Sequence, residues 1–188
     1  MSLEQMLLKR TQSRRGAIDV ERINDCEMNV DDANNTDAVF IRFCNDALIT
    51  ITSPVVTKVI IERCNKTHVR IQCDVLTGTV EVIRSSDCSI SFSRSSVKTI
   101  QVDSTTNTLL EIKHASYRDT MIVSTHDCSL ALVVDDGTAH ARFNVVYPPD
   151  AEPNDNTQQF RTLFHGDLSG VITEKIVREG GGYATTVS

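Results

Sequence analysis

The sequence predicts an all-β chain wound into a parallel β-helix of about six rungs, with a β-hairpin at its C-terminal end. Three observations predict it. Apolar residues at alternate places mark one buried strand face. The same pattern recurs six times, at steps of 20 or 21 residues. β-Branched residues dominate, with 20 Val, 15 Ile and 20 Thr making 55 of 188 residues. Such side chains are stiff at χ1 and suit a pleated surface, so with no Trp present they build an aliphatic core.

The repeat is clearest in VEVIRSSDCSISF, Val80 to Phe92, set against IDVERINDCEMNV, Ile18 to Val30. Both carry apolar residues at places one, three, eleven and thirteen and Asp-Cys at eight and nine. VFIRFCNDALITI from Val39, VIIERCNKTHVRI from Val59, IQVDSTTNTLLEI from Ile100 and TMIVSTHDCSLAL from Thr120 complete the set. The third place holds Val20, Ile41, Ile61, Val82, Val102 and Ile122. The eleventh holds Met28, Ile49, Val69, Ile90, Leu110 and Leu130, and the thirteenth Val30, Ile51, Ile71, Phe92, Ile112 and Leu132. Equal columns on every rung mean equivalent strands stacked in register about 4.8 Å apart. No single rung can bury its face alone, which is the logic of a solenoid.

The sixth place (Ile23, Cys44, Cys64, Ser85, Thr105, Thr125) and the ninth (Cys26, Ala47, Thr67, Cys88, Thr108, Cys128) are mostly small, as a tight interior bend requires. The six cysteines, which include Cys73, form no C-x-x-C pair and no zinc spacing, so they read as reduced thiols and no metal site is expected. Cys44 and Cys64 should stack, but in-register neighbours give poor disulfide geometry. The eighth place (Asp25, Asp46, Lys66, Asp87, Asn107, Asp127) reads as Asx residues capping tight turns. Calcium-binding rolls would need Gly-rich turns, which these are not.

The ends follow. Residues 1–17 carry a local charge of +3, and Leu3, Met6, Leu7 and Leu8 share one face if helical, so this stretch reads as a short helix or mobile arm. Its charges follow the apolar stretch, the reverse of a secretory signal. The repeat domain spans 18–177. Ala141 to Tyr147 reads as a strand, and 151–158 as a loop. Phe160 to Phe164 and Val171 to Val177 form a hairpin around His165-Gly166-Asp167, within a dimerisation hairpin at 159–177. Residues 178–188, with Gly180-Gly181-Gly182, read as a disordered tail.

Composition narrows the function. Nineteen Lys+Arg against 25 Asp+Glu give a net charge of −6, which argues against nucleic acid as a partner. No apolar run approaches the ~20 residues that cross a bilayer, so no membrane partner is expected. The five His lie at 68, 114, 126, 140 and 165 without motif partners, and no phosphate loop or nucleophile elbow occurs. The expectation is a binding surface: no enzyme, no catalytic residue and no cofactor.

The runs VFIRFCNDALITI, VIIERCNKTHVRI, TVEVIRSSDCSISFS and VKTIQVDSTTNTLLEIK, in that order and spacing, resemble the C-terminal domain of adenylyl cyclase-associated proteins. TQQFRTLFHGDLSGVITE is similar to that family's closing segment, where a Gln-Phe-Lys-Thr-Leu-like strand and a Thr-Glu strand make a hairpin. The resemblance covers about residues 18–177 and is to a short, stand-alone form. Residues 1–17 contain no Leu-Lys-Lys-Val-like actin-binding element. The resemblance implies a cytoplasmic, cytoskeleton-associated protein that binds monomeric actin, prefers ADP-actin and speeds its nucleotide exchange. It also implies that the parallel β-helix is right-handed, and a homodimer whose C-terminal hairpins are domain-swapped. A β-helical scaffold with an unknown protein partner is one alternative. A GTPase activator like the tubulin-folding cofactor C domain is another, but its Gln-x-Arg-x-His element is absent around Arg70 and Arg142.

Charged side chains on a flat, rigid sheet give specificity and on-rate. The expected actin contacts are therefore the outward residues Glu62, Arg63, Glu81 and Arg84, with Thr173 and Glu174 of the swapped strand beside them. The expected dimer contacts are Phe160, Leu163, Phe164, Val171, Ile172 and Ile176, on a hairpin that has no place in its own coil.

Overall fold

Inward Val and Ile at alternate places force each rung to turn one strand face onto a shared axis, and the chain coils accordingly. The computed structural model describes residues 11–14, 16–149, 151, 158–176, 178–179 and 183–184, with side chains for 16–149, 151 and 158–176. The first rung is β2 (Ala17–Glu21) and β3 (Glu27–Val30), preceded by β1 (Thr11–Arg14). The second is β4 (Ala38–Arg42), β5 (Leu48–Ile51) and β6 (Val55–Val56), and the third β7 (Lys58–Glu62), β8 (His68–Ile71) and β9 (Asp74–Val75). Then come β10 (Thr79–Ile83) with β11 (Ser89–Phe92), β12 (Thr99–Asp103) with β13 (Thr108–Ile112), and β14 (Met121–Thr125) with β15 (Leu130–Asp135). The chain closes with β16 (His140–Asn144), β17 (Gln159–Phe164), β18 (Val171–Lys175), β19 (Arg178–Glu179) and β20 (Tyr183–Ala184).

Two large sheets result. One has the order β1-β2-β4-β7-β10-β12-β14-β17-β18, the other β16-β15-β13-β11-β8-β5-β3. Through the first five rungs the pairing follows the sequence columns. Val20 meets Ile41, Ile41 meets Ile61, Ile61 meets Val82 and Val82 meets Val102, all parallel. The same holds from Met28 to Leu110 and from Val30 to Ile112 in the second sheet. Val20, Ile41, Ile61, Val82 and Val102 are fully buried.

The last rung departs from the expected frame. Ile122 pairs with Ile100, not Val102, and Ser124 takes the place beside Val102. Leu132 likewise pairs with Leu110 and Val134 with Ile112, while Leu130, not Cys128, meets Thr108. A 3-10 turn at Ala115–Asp119 lengthens the preceding loop, closed by the Thr120 N–H donating to the Tyr117 carbonyl at 3.0 Å. A two-residue shift leaves every side chain on its own face, so apolar alternation alone does not register it. Ser124 is fully buried at the third place, and its oxygen accepts from the Tyr147 hydroxyl at 2.9 Å.

The C-terminal hairpin also differs from expectation, because it has a place in its own coil. β17 pairs antiparallel with β14, Ile122 facing Thr162 and Ser124 facing Phe160, and β18 pairs with β17. Phe160 and Phe164 turn inward and are buried. There they join an aromatic plug: Tyr147 lies 5.1 Å from Phe160, Tyr117 5.9 Å from Phe164 and Phe143 6.3 Å from Phe164, ring centre to ring centre. Leu163, Val171 and Ile176 are half-buried and Ile172 is exposed on β18, the edge strand. Of residues 1–17, read as a helix or arm, β1 is instead an antiparallel strand on β2, and residues 1–10 lie outside the described ones. Within the tail expected to be disordered, β19 and β20 pair antiparallel, and the remainder lies outside the described residues.

Candidate functional site

The outer face of the first sheet is built by the residues that alternate with the core. One row reads Asp19, Phe40, Ile60, Glu81, Gln101 and Val123 across successive strands, and the next reads Glu21, Arg42, Glu62, Ile83 and Asp103. Arg42 is the hub. Its Nη1 lies 3.2 Å from Asp19 Oδ1 and 3.5 Å from Glu21 Oε1, and its Nε lies 3.7 Å from Glu62 Oε2. The guanidinium also covers the Phe40 ring, with Cζ 4.3 Å from its centroid. One strand on, Lys58 Nζ donates to Glu81 Oε1 at 2.6 Å. Glu62 and Glu81, expected to face a partner, are therefore engaged within the sheet, their side chains 28% and 20% exposed.

Arg63 and Arg84 occupy a different place. Each follows its strand at the corner where the first sheet turns toward the second, with φ of 52° and 49°. This fifth place is left-handed on five rungs, at Arg22, Phe43, Arg63, Arg84 and Ser104, and so is the eighth, at Asp25, Asp46, Lys66, Asp87 and Asn107. Two left-handed residues per corner keep the hydrogen-bond ladder unbroken around the bend. Arg63 N–H reaches the Ile83 carbonyl at 3.0 Å and Lys66 N–H the Ser86 carbonyl at 3.1 Å. Asp and Asn tolerate that backbone, which explains the eighth place better than turn capping does. Between them the inward sixth place holds Ile23, Cys44, Cys64, Ser85 and Thr105, all buried, so after the first rung the bend is lined by small side chains.

Thr173 and Glu174 lie elsewhere. β18 is four strands from β10 and five from β7, about 19 and 24 Å at ~4.8 Å per strand. Thr173 turns inward, its hydroxyl 3.0 Å from that of Thr162, while Glu174 accepts from Arg161 Nη2 at 2.7 Å. The structure thus groups Arg63 with Arg84, separates both from Thr173 and Glu174, and adds Phe43. The signal for Phe43 was its fifth place in VFIRFCNDALITI, where an aromatic residue reads most simply as strand core. Phe43 is instead 38% exposed.

The rest of the surface offers little chemistry. The described residues hold no group of three or more His, Cys, Asp or Glu able to bind a metal. All six cysteines are free. Burial pushes the thiol of Cys73 up to about 11 and also raises those of Cys88 and Cys128, which makes them poor nucleophiles. A hydrogen bond shared by Cys44 and Cys64 lowers the former and, with burial, raises the latter. His114 opens the 3-10 turn with both ring nitrogens enclosed and unpartnered, and burial holds its pKa below the ordinary value. The depression lined by Glu27, Asn29, Leu48 and Arg70 is open to solvent. No described helix is long and apolar enough to cross a membrane.

Comparison with known proteins agrees with this architecture. No curated protein sequence matches. Among solved structures, the chain is similar to the crystal structure of cyclase-associated protein from Cryptosporidium parvum, with a TM-score of 0.63 and 12% identity over 88% of this chain and 93% of that one. At that identity the likeness shows the fold. The model of the adenylate cyclase associated (CAP) C-terminal family matches residues 9–148, about three quarters of the sequence, and the chain therefore belongs to that family.

Proposed function

We propose that this domain binds monomeric actin, grips the ADP-loaded form more tightly than the ATP-loaded form, and promotes release of the nucleotide. The observation that carries the reading is the family match over residues 9–148, which supports the actin-binding part. The rigid charged face and corner supply a surface for it. Exchange needs no covalent chemistry from this chain. A ligand shifts an equilibrium by its differential affinity for the two states, so a domain that fits the ADP or empty form better moves actin toward an open nucleotide cleft. The protein is then a binding partner and not an enzyme, working in the cytoplasm at the cytoskeleton.

The contacts in this reading centre on Glu62, Arg63, Glu81 and Arg84. Thr173 and Glu174 join them only for a footprint of about 19 Å or more. We also propose a two-fold dimer. An exchanged hairpin would reuse the β14–β17 pairing and the Phe160 and Phe164 contacts between chains, a low-cost route to dimers. The exposed Ile172 on the edge strand suits such an assembly.

The deciding assay follows fluorescent ADP leaving actin as purified domain is added. Faster release, with tighter binding to ADP-actin than to ATP-actin, is expected. An unchanged release rate at saturating, folded protein would refute the exchange role. Absence of any binding would favour a scaffold with another partner.

A further inference from the structure

Four successive rungs place Arg22, Phe43, Arg63 and Arg84 in one column along the corner, all exposed and all left-handed. The Phe43 ring lies between two guanidinium groups, with Arg22 Cζ 5.7 Å and Arg63 Cζ 5.6 Å from its centroid. Such stacking holds planar forks in place while their N–H groups stay free to donate. Among the described residues the ion-pair contacts of Arg22 and Arg63 are with flanking glutamates at the limit of ion pairing, Glu21 at 4.0 Å and Glu62 at 3.8 Å. Arg84 has no ion-pair partner among the described residues. On the flat face Asp19, Glu21, Glu62 and Glu81 lie in ion pairs with Arg42 and Lys58, whereas the corner arginines have at most one marginal ion pair each among the described residues.

The backbone sharpens the point. At the eighth place the left-handed backbone is met with Asp and Asn on four rungs of five, as sterics favour. The fifth place has the same backbone and ignores that preference for Arg, Phe, Arg and Arg. Nothing in the packing needs those side chains there, because they point away from the core.

We propose that the Arg22–Phe43–Arg63–Arg84 corner docks an acidic segment of a protein partner, its carboxylates accepting from the guanidinium forks and its apolar stem resting on Phe43. Rungs stand about 4.8 Å apart, near the 5–6 Å between side chains one turn apart on a helix, so an acidic helix face matches the column. An extended polyanion does not. The column is one residue wide, with Glu21 and Glu62 on one side and Asp25, Asp46 and Asp87 on the other, on a chain of net charge −6. Where actin is the partner, this deepens the reading above by moving the contact from the flat glutamates to the corner.

The test titrates labelled ADP-actin monomers with the wild-type chain, with Arg63→Asn/Arg84→Asn, and with Glu111→Gln/Lys113→Gln at several salt concentrations. Asn tolerates the left-handed backbone, so the double Asn variant should melt no lower than wild type while binding about tenfold or more weakly, with a flatter salt dependence. The Glu111→Gln/Lys113→Gln variant, which removes an ion pair on the second sheet away from the corner, should stay within about twofold of wild type. Phe43→Asn is a second variant with the same backbone tolerance and should also weaken binding. A synthetic glutamate-rich helical peptide on a resin is the independent probe. If actin is not bound but the peptide retains wild type at low salt and not the Asn variant, the actin reading fails and the corner stands. If actin binds wild type and the Asn variant alike, the actin reading stands and the corner is overturned. Equal behaviour of wild type and variant on both probes also overturns it.

Discussion

Neighbouring residues Ile60 and Ile61 make a direct test of the coil's register. Ile61 is fully buried between Ile41 and Val82, whereas Ile60 sits on the outer face between Phe40 and Glu81. Ile61→Ala removes three carbons from the core, about 2.4 kcal/mol of transfer free energy at about 0.8 kcal/mol per methylene. The hole adds to that, because the strands above and below are held near 4.8 Å by their ladder and cannot close in. The expected total is about 3–5 kcal/mol, in the upper part of the range for such truncations. Ile60→Ala should cost at most about 1 kcal/mol, since its side chain is only half removed from water. Ile61→Asp should prevent folding, as an unpaired charge would enter an apolar column. Urea unfolding followed by circular dichroism measures all three. A one-residue slip of β7 would exchange the two roles. Equal losses for Ile60→Ala and Ile61→Ala, or a larger loss for Ile60→Ala, would refute the register.

Three further outcomes are expected. His114 has a lowered pKa in the folded chain, from burial first and Lys98 second, so below its ordinary value of about 6.5 the unfolded state binds the extra proton. Stability should therefore fall as pH drops from about 6.5, and His114→Leu should flatten that slope in a series of melts; Asp136 and Asp167, whose pKa values are lowered by hydrogen bonds from Thr138 and Ser169, act only below about 4. Phe160→Ala should cost about 3–5 kcal/mol by unplugging the C-terminal end, and deletion of 159–188 should give aggregates in light scattering, with a well-behaved truncated monomer contradicting the plug. Lys66→Asn, at a φ of 47°, should raise stability by about 1 kcal/mol, read as a higher midpoint in urea.

The coil was legible because its columns are chemical. Val20 through Val102 could be stacked from letters alone, since only one buried face per strand satisfies the alternation. Ile122 could not be placed beside Ile100 that way, because a shift of two preserves the alternation and the cause, a 3-10 turn at Ala115–Asp119, carries no strong local signal. The hairpin's strands were readable, but not that Phe160 and Phe164 would fill the end of their own coil. At the candidate site the charges were visible and their engagement was not. Glu62 and Arg63 are adjacent in sequence, yet one lies on the sheet under Arg42 and the other turns out at the corner, a division set by a single left-handed residue.

The antiparallel strands at the ends of the coil have a consequence for growth. A stack of parallel rungs is its own template, and nothing in its interior limits its length. Head-to-tail joining that continues the coil's own parallel pairing would need a bare parallel edge at each end, and such heterologous contacts propagate into filaments. Here β1 reverses direction at one end of the first sheet, β17 reverses at the other before β18 turns back, and β16 reverses at one end of the second. Among the described residues the first sheet thus ends on the reversed β1 and on β18, and the second on β3 and the reversed β16, so neither sheet carries strands of the coil's direction at both of its edges. Copies of this chain can still meet through β18 about a two-fold axis, which closes on itself. The end strands thus remove the coil's own parallel template for end-to-end growth.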